Sequence, residues 1–100
     1  MQFIEQHTKA IEALCRQHYV RRLYAFGSVL TNRFTKESDV DLIVDFNPIT
    51  TEGYADNYFN FKFALEDTLH RNVDLLEEKA IKNPYFRQAI ENQRQLIYGQ

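Results

Sequence analysis

The sequence has no tryptophan, only one cysteine, and no purely aliphatic run longer than Leu42-Ile43-Val44. Each shortage excludes something. A lone cysteine cannot form an internal disulfide, and it fits a reducing compartment, so a cytoplasmic protein is expected. No stretch approaches the roughly 20 apolar residues that a transmembrane helix needs. Met1-Gln2-Phe3-Ile4-Glu5 offers neither a charged n-region nor an apolar h-region, so no signal peptide is expected. An excess of base is also missing. The net charge is −2 and the isoelectric point about 5.9. Acidic residues crowd between Glu37 and Asp67, where Lys62 is the only base. Proteins that wrap nucleic acid cluster Lys and Arg on one surface, and Arg21-Arg22 with the scattered remainder makes no such patch. Direct nucleic-acid binding is therefore not expected. A small nucleotide carried by a metal fits this charge better than a polymer does.

What is present is the composition of an ordinary globular chain, 44% hydrophobic and 26% charged, long enough for one domain spanning residues 1–100. Eight Phe and six Tyr supply the bulky core material. Residues 3–19 predict an amphipathic helix with Ile4, Ile11, Leu14, Cys15 and Tyr19 on its buried stripe. Cys15 reads as a small buried hydrophobe, because no His or acid at triad spacing marks it as a nucleophile. His7, His18 and His70 share no metal-ligand spacing and read as surface or helix-end residues. Arg21 to Phe26 predicts a strand with Leu23 and Ala25 on one face and Tyr24 and Phe26 on the other.

Gly27 ends that strand, and Ser28 is expected to cap a short helix over 29–33. Backbone N–H groups and a hydroxyl pointing outwards from such a turn suit a phosphate. The polar stretch from Thr31 to Ser38 leads to a second strand, Asp39 to Phe46. Val40, Leu42 and Val44 share its core face, and Asp39, Asp41, Ile43 and Asp45 share the other. Like charges side by side on one face repel, and a divalent cation between Asp39 and Asp41 would remove that cost. Asp45 lies roughly 20 Å from Asp39 along an extended strand, too far to share the ion. Asn47-Pro48 stops the strand, and 48–53 reads as a loop.

A helix follows over 54–70, with Tyr54, Tyr58, Phe61, Leu65 and Leu69 as its main apolar stripe. Phe59 and Phe63 widen the stripe, either as core or as an interface for a partner or a second copy of the chain. Val73 to Leu76 predicts a third strand, with Val73 and Leu75 facing the core and Asp74 opposite. Glu77 and Glu78 read as solvated charges. Asn83-Pro84 is a helix start, Asn as N-cap and Pro at the first helical position. That helix runs to about Gln93, with Phe86, Ala89 and Ile90 inward, and Leu96 to Gly99 packs back on the domain.

Gly27-Ser28, a ten-residue spacer, Asp39-Val40-Asp41 and then Asp74 on a following strand resemble the signature of the DNA polymerase beta-like nucleotidyltransferase superfamily. At this length the chain is most similar to its minimal nucleotidyltransferases. The resemblance covers nearly the whole chain and implies an α/β (α+β) nucleotidyltransferase fold: a three-stranded mixed sheet, order 1-2-3, in an α-β-α-β-α-β-α chain. It further implies Mg²⁺-dependent transfer of a nucleoside monophosphate, with ATP as substrate and two ions. Asp39 and Asp41 would hold both ions, Asp74 would complete the site of one, and Gly27 and Ser28 would hold the departing phosphates. Members of the minimal branch are commonly paired with a helical HEPN-type protein. Some act as antitoxins by transferring AMP to a tyrosine of that partner. The contrasting expectation is a binding module that keeps the fold and neutralises or scaffolds a helical partner without catalysis.

Overall fold

Alternation of apolar and polar residues along the strands builds the sheet around which everything else packs. The computed structural model describes residues 2–49 and 51–99. Its strands are β1 (Val20–Phe26), β2 (Val40–Phe46), β3 (Val73–Glu77) and β4 (Gln95–Tyr98). They form one sheet in the order β3-β2-β1-β4, with β1 antiparallel to both β2 and β4 and β2 parallel to β3. The expected 1-2-3 order holds within it. The correction is a fourth strand: Leu96 to Tyr98 do pack back, by hydrogen-bonding along the free edge of β1.

Among the described residues four α-helices cover the two faces: α1 (Gln2–Gln6), α2 (Thr8–Gln17), α3 (Thr51–Leu69) and α4 (Pro84–Gln93). Parallel pairing of β2 with β3 requires a long crossover, and α3 provides it. Leu23, Ala25, Val40, Leu42, Val44, Val73 and Leu75 face Ile4, Ile11, Cys15, Phe61, Leu65 and Leu69 in the main core. Each fully buried side chain of this size contributes about 1.5–3 kcal/mol. Burial pushes the Cys15 thiol up to about 12, which leaves it an inert packing residue at neutral pH. The opposite face carries a smaller cluster of Tyr24, Ile43, Ile81 and Ile90, with Phe26 and Leu76 beside it.

Several local expectations change. The helix predicted over 3–19 is broken at His7, where the Thr8 hydroxyl donates to the carbonyls of Ile4 and Glu5. It ends at Gln17, and Tyr19, in the left-handed region at φ 61°, turns away from the core and is exposed rather than buried. The helix predicted over 29–33 is instead a 3-10 turn, Gly27–Leu30, and Ser28 lies within it without capping it. α3 starts at Thr51 rather than Tyr54, which shortens the predicted 48–53 loop; Thr50 in that loop lies outside the described residues. Phe59 and Phe63 are about half exposed and stack on each other at 5.9 Å, so they are not core.

In α4 only Ile90 is buried; Phe86 and Ala89 are exposed. Glu78 is not merely solvated, since it pairs with Arg94 at 3.3 Å and Arg87 at 3.8 Å. The start of α4 is as predicted: the Asn83 side chain accepts from the N–H groups of Tyr85 (2.9 Å) and Phe86 (3.1 Å). Asn83→Ala removes that cap at a cost of about 1 kcal/mol. A scanning calorimetry trace should show Tm lower by roughly 4–8 °C. No helix among the described residues is long and apolar enough to cross a membrane.

Candidate active site

The end of β1 and the starts of β2 and β3 lie in one row. Phe26 pairs with Asp41, and Asp41 pairs with Asp74. Because the flanking residues Val40, Leu42, Val73 and Leu75 all point into the main core, strand alternation puts Asp41 and Asp74 together on the other face. Asp39 immediately precedes β2 and is exposed, as is Asp74; Asp41 is half-buried.

Gly27 follows Phe26 with φ +75°, and a Cβ built on it would stand 2.5 Å from Asp41 Oδ2. The Asp41 carboxylate therefore lies directly against the backbone of the turn, an approach open only to glycine. Ser28 is the next residue. Its carbonyl accepts from the Thr31 N–H at 2.9 Å and the Thr31 hydroxyl at 3.0 Å, closing the 3-10 turn.

The Asp41 carboxyl is raised above its ordinary pKa, first by burial, then by the charges of Asp74 and Asp39. Three carboxylates thus feel one another at one end of the sheet. As a donor set, oxygen-only and anionic, they suit a hard divalent cation. Among the described residues no group of three His, Cys, Asp or Glu side chains is already gathered as a metal site. Asp45, on the same strand face, is committed elsewhere: Arg21 and Arg22 meet its Oδ2 at 3.2 and 3.7 Å. The three histidines sit at helix ends. His7 separates α1 from α2, His18 follows α2 with its ring 2.7 Å from the Leu14 carbonyl, and His70 follows α3.

One residue of this region carries no motif and is visible only in the fold. Arg71, just before β3, donates to the carbonyls of Thr35 and Ser38 in the loop that leads to Asp39.

The mixed sheet with helices on both faces matches the fold of a minimal nucleotidyltransferase. The chain belongs to the nucleotidyltransferase domain family, whose model matches residues 7–97, and it is a nucleotidyltransferase. Enzymes of this family take a nucleoside triphosphate and divalent metal.

Two Methanocaldococcus jannaschii proteins named "Putative protein adenylyltransferase" are similar to it. One is 35% identical over 95 residues, covering 95% of this chain and 89% of the relative. The other is 31% identical over 97 residues, covering 97% and 91%. A solved structure, "Structure of putative minimal nucleotidyltransferase", superposes with a TM-score of 0.77 at 28% identity, covering 94% of this chain and 92% of that one. A chain in the solved complex of tri-AMPylated Shewanella oneidensis HEPN toxin with MNT antitoxin shares the fold, with a TM-score of 0.67 at 19% identity, covering 100% and 74%. The resemblance to minimal nucleotidyltransferases is borne out.

Proposed function

We propose that this nucleotidyltransferase moves AMP from ATP to a hydroxyl of a partner protein, a tyrosine of a HEPN-type helical protein, and neutralises that partner as an antitoxin. The observation that carries this reading is the Phe26–Asp41–Asp74 row, with Gly27 packed on the Asp41 carboxylate. Support for the acceptor comes from the relatives named as protein adenylyltransferases and from the fold shared with an MNT antitoxin bound to an AMPylated toxin.

In this reading Asp39 and Asp41 would hold two Mg²⁺ ions and Asp74 would complete the site of one of them; such ions would supply charge neutralisation of the triphosphate and polarisation of the attacking and leaving oxygens. Gly27 exposes backbone to the beta- and gamma-phosphates, and the Ser28 hydroxyl donates to them. The acceptor oxygen forms a bond to the alpha-phosphorus as the bond to pyrophosphate breaks, and an Asp74 carboxylate oxygen takes the hydroxyl proton. Raised by burial and then by the charges of Asp74 and Asp39, Asp41 favours any state in which positive charge stands among the three carboxylates.

The test is label transfer. Wild-type chain with Mg²⁺ and alpha-phosphate-labelled ATP, in extract of its own organism, is expected to label one protein band. The Asp39→Asn/Asp41→Asn double variant should label none. If wild type labels nothing, and Mg²⁺ with ATP leaves its Tm unmoved, the reading is lost.

A second reading has its own observation. The stacked, exposed Phe59–Phe63 pair on α3 is a surface by which a non-catalytic module, or a second copy of the chain, could be covered. Binding of the partner at full strength by the double variant, with no labelling by wild type, would favour it.

A further inference from the structure

Between the glycine turn and β2 the chain crosses residues 31–39 without regular secondary structure other than turns. This segment delivers Asp39, and its own bonds are short-range. Thr31 bonds back to Ser28, Thr35 and Ser38 bond each other, and Glu37 bonds Thr35. Phe34 packs against the main core, but most of the segment is exposed and polar, the kind of stretch that opens easily unless it is held.

Arg71 ties it down from a distance. One guanidinium nitrogen of Arg71, Nη2, donates to the Thr35 carbonyl and, at 2.6 Å, to the Ser38 carbonyl. The latter belongs to the peptide that carries the Asp39 nitrogen. The guanidinium plane also lies over the Phe34 ring at 4.3 Å and 5.2 Å from the Phe3 ring, and those two rings pack on each other at 5.2 Å. Among the described residues no other side chain outside the segment hydrogen-bonds to it. Arg71 itself is held at the entrance to β3. The Asn72 carbonyl accepts from the Val40 N–H at 2.9 Å, and Glu66 accepts from the Val73 N–H at 2.9 Å. Asp74 is three residues further along. One side chain therefore couples the approach to Asp39 to the strand that carries Asp74.

We infer that Arg71 is a positioning residue: it fixes the 31–39 segment so that Asp39 reaches its place beside Asp41 and Asp74 when the cation binds. The inference rests on the proposed role of the three carboxylates. It follows from two features together. Asp39 is the one acid of the three that lies outside a strand, so nothing in the sheet ladder sets its carboxylate. And the segment that carries it is tied to the strand bearing Asp74 through Arg71, so where Arg71 holds that segment governs where Asp39 stands. Arginine suits the task because one guanidinium nitrogen bonds both carbonyls while the flat, delocalised cation lies against the Phe34 and Phe3 rings; a lysine ammonium can reach carbonyls but has no planar face to stack.

The experiment compares wild type, Arg71→Ala and Arg71→Lys by three readouts. These are amide hydrogen exchange of the metal-free chain, Mg²⁺ titration at fixed ATP followed by Tm, and steady-state transfer. In Arg71→Ala, amides of residues 33–39 should exchange about tenfold faster while those of β1 and β2 keep their protection. Apparent Mg²⁺ affinity should fall about 10–100-fold, as for other groups that orient a metal ligand. The kcat should fall with the acceptor KM unchanged, and Arg71→Lys should lie between the two. If Arg71→Ala fails to fold, Arg71→Lys carries the same readouts.

Unchanged Mg²⁺ affinity overturns the inference. So does acceleration of exchange throughout the sheet to the same degree as in 33–39, which would make Arg71 a general stabiliser. Wild type that transfers nothing would defeat the proposed reaction instead, while exchange and cation affinity would still test Arg71.

Discussion

Asp41→Asn is expected to cut nucleotidyl transfer at least about 10²-fold, the size of loss seen when one preorganised contact to transition-state charge is removed. The same substitution should raise the Tm of the metal-free chain by a few degrees. Both follow from one placement. Asp41 is the central residue of the Phe26–Asp41–Asp74 row, half-buried, with the charges of Asp74 and Asp39 acting on it. Its carboxyl is raised above the ordinary value of 3.8, so the folded chain binds that proton more tightly than the unfolded chain does. The stability this contributes is fully present below the unfolded value and is lost as pH rises through the folded one.

At neutral pH the wild type therefore carries the cost of a half-buried charge, and its repulsion by Asp74 and Asp39, both of which the amide lacks. The two chains should converge in Tm as pH falls to about 4 and below, where the wild-type carboxyl is protonated as well. Adding Mg²⁺ with ATP should reverse their order. A ligand that binds only the native state adds about 2.7 kcal/mol at a hundredfold excess over its Kd, and the variant should lose most of that gain. Thermal melts with and without ligand across pH 4–8 check all of this. Equal ligand-induced gains in the two chains would remove Asp41 from the site.

How far such a site can be read from sequence depends on whether its geometry is local. The faces of β2 were legible because Val40, Leu42 and Val44 alternate with Asp41, Ile43 and Asp45, and a strand has no other way to arrange that pattern. Asn83-Pro84 was legible because an N-cap is built from neighbours in the chain. β4 was not. Its four residues are mostly exposed or half-exposed, and they become a strand only because the outer edge of β1 offers Leu23, Tyr24 and Ala25 as partners. A break at His7 leaves the Ile4–Ile11–Cys15 stripe intact on both sides, so periodicity did not reveal it. Ser28 has a capping residue's chemistry, but Gly27 turns the chain so tightly that the helix it would cap is a single 3-10 turn. Arg71 had no signal at all, because Phe3, Phe34, Thr35 and Ser38 come from two distant segments that only the fold brings together.

Gly27→Ala should be nearly as damaging to transfer as Asp41→Asn, although it touches no charge. An alanine at φ +75° is strained whatever its surroundings, at a cost of about 1–3 kcal/mol. Its Cβ would also stand 2.5 Å from Asp41 Oδ2, where ordinary contact begins at 3.4 Å. One of the two must yield by about 1 Å, and a shift of that size at reacting groups costs on the order of 10²-fold. Strain alone would lower Tm without altering what each folded molecule does, so the control is Gly99→Ala. Gly99 has φ +92°, and its Cβ would meet the Arg21 carbonyl at 2.2 Å, beyond the end of β4 and away from the acidic row. Gly99→Ala should lower Tm at least as much as Gly27→Ala while keeping wild-type transfer per folded molecule, measured well below either melting point. Gly27→Ala should keep roughly one per cent of that transfer and lose the Tm gain from Mg²⁺ with ATP. If the two alanine variants transfer equally per folded molecule, the contact between the turn and Asp41 is packing only, and the glycine has no part in the site.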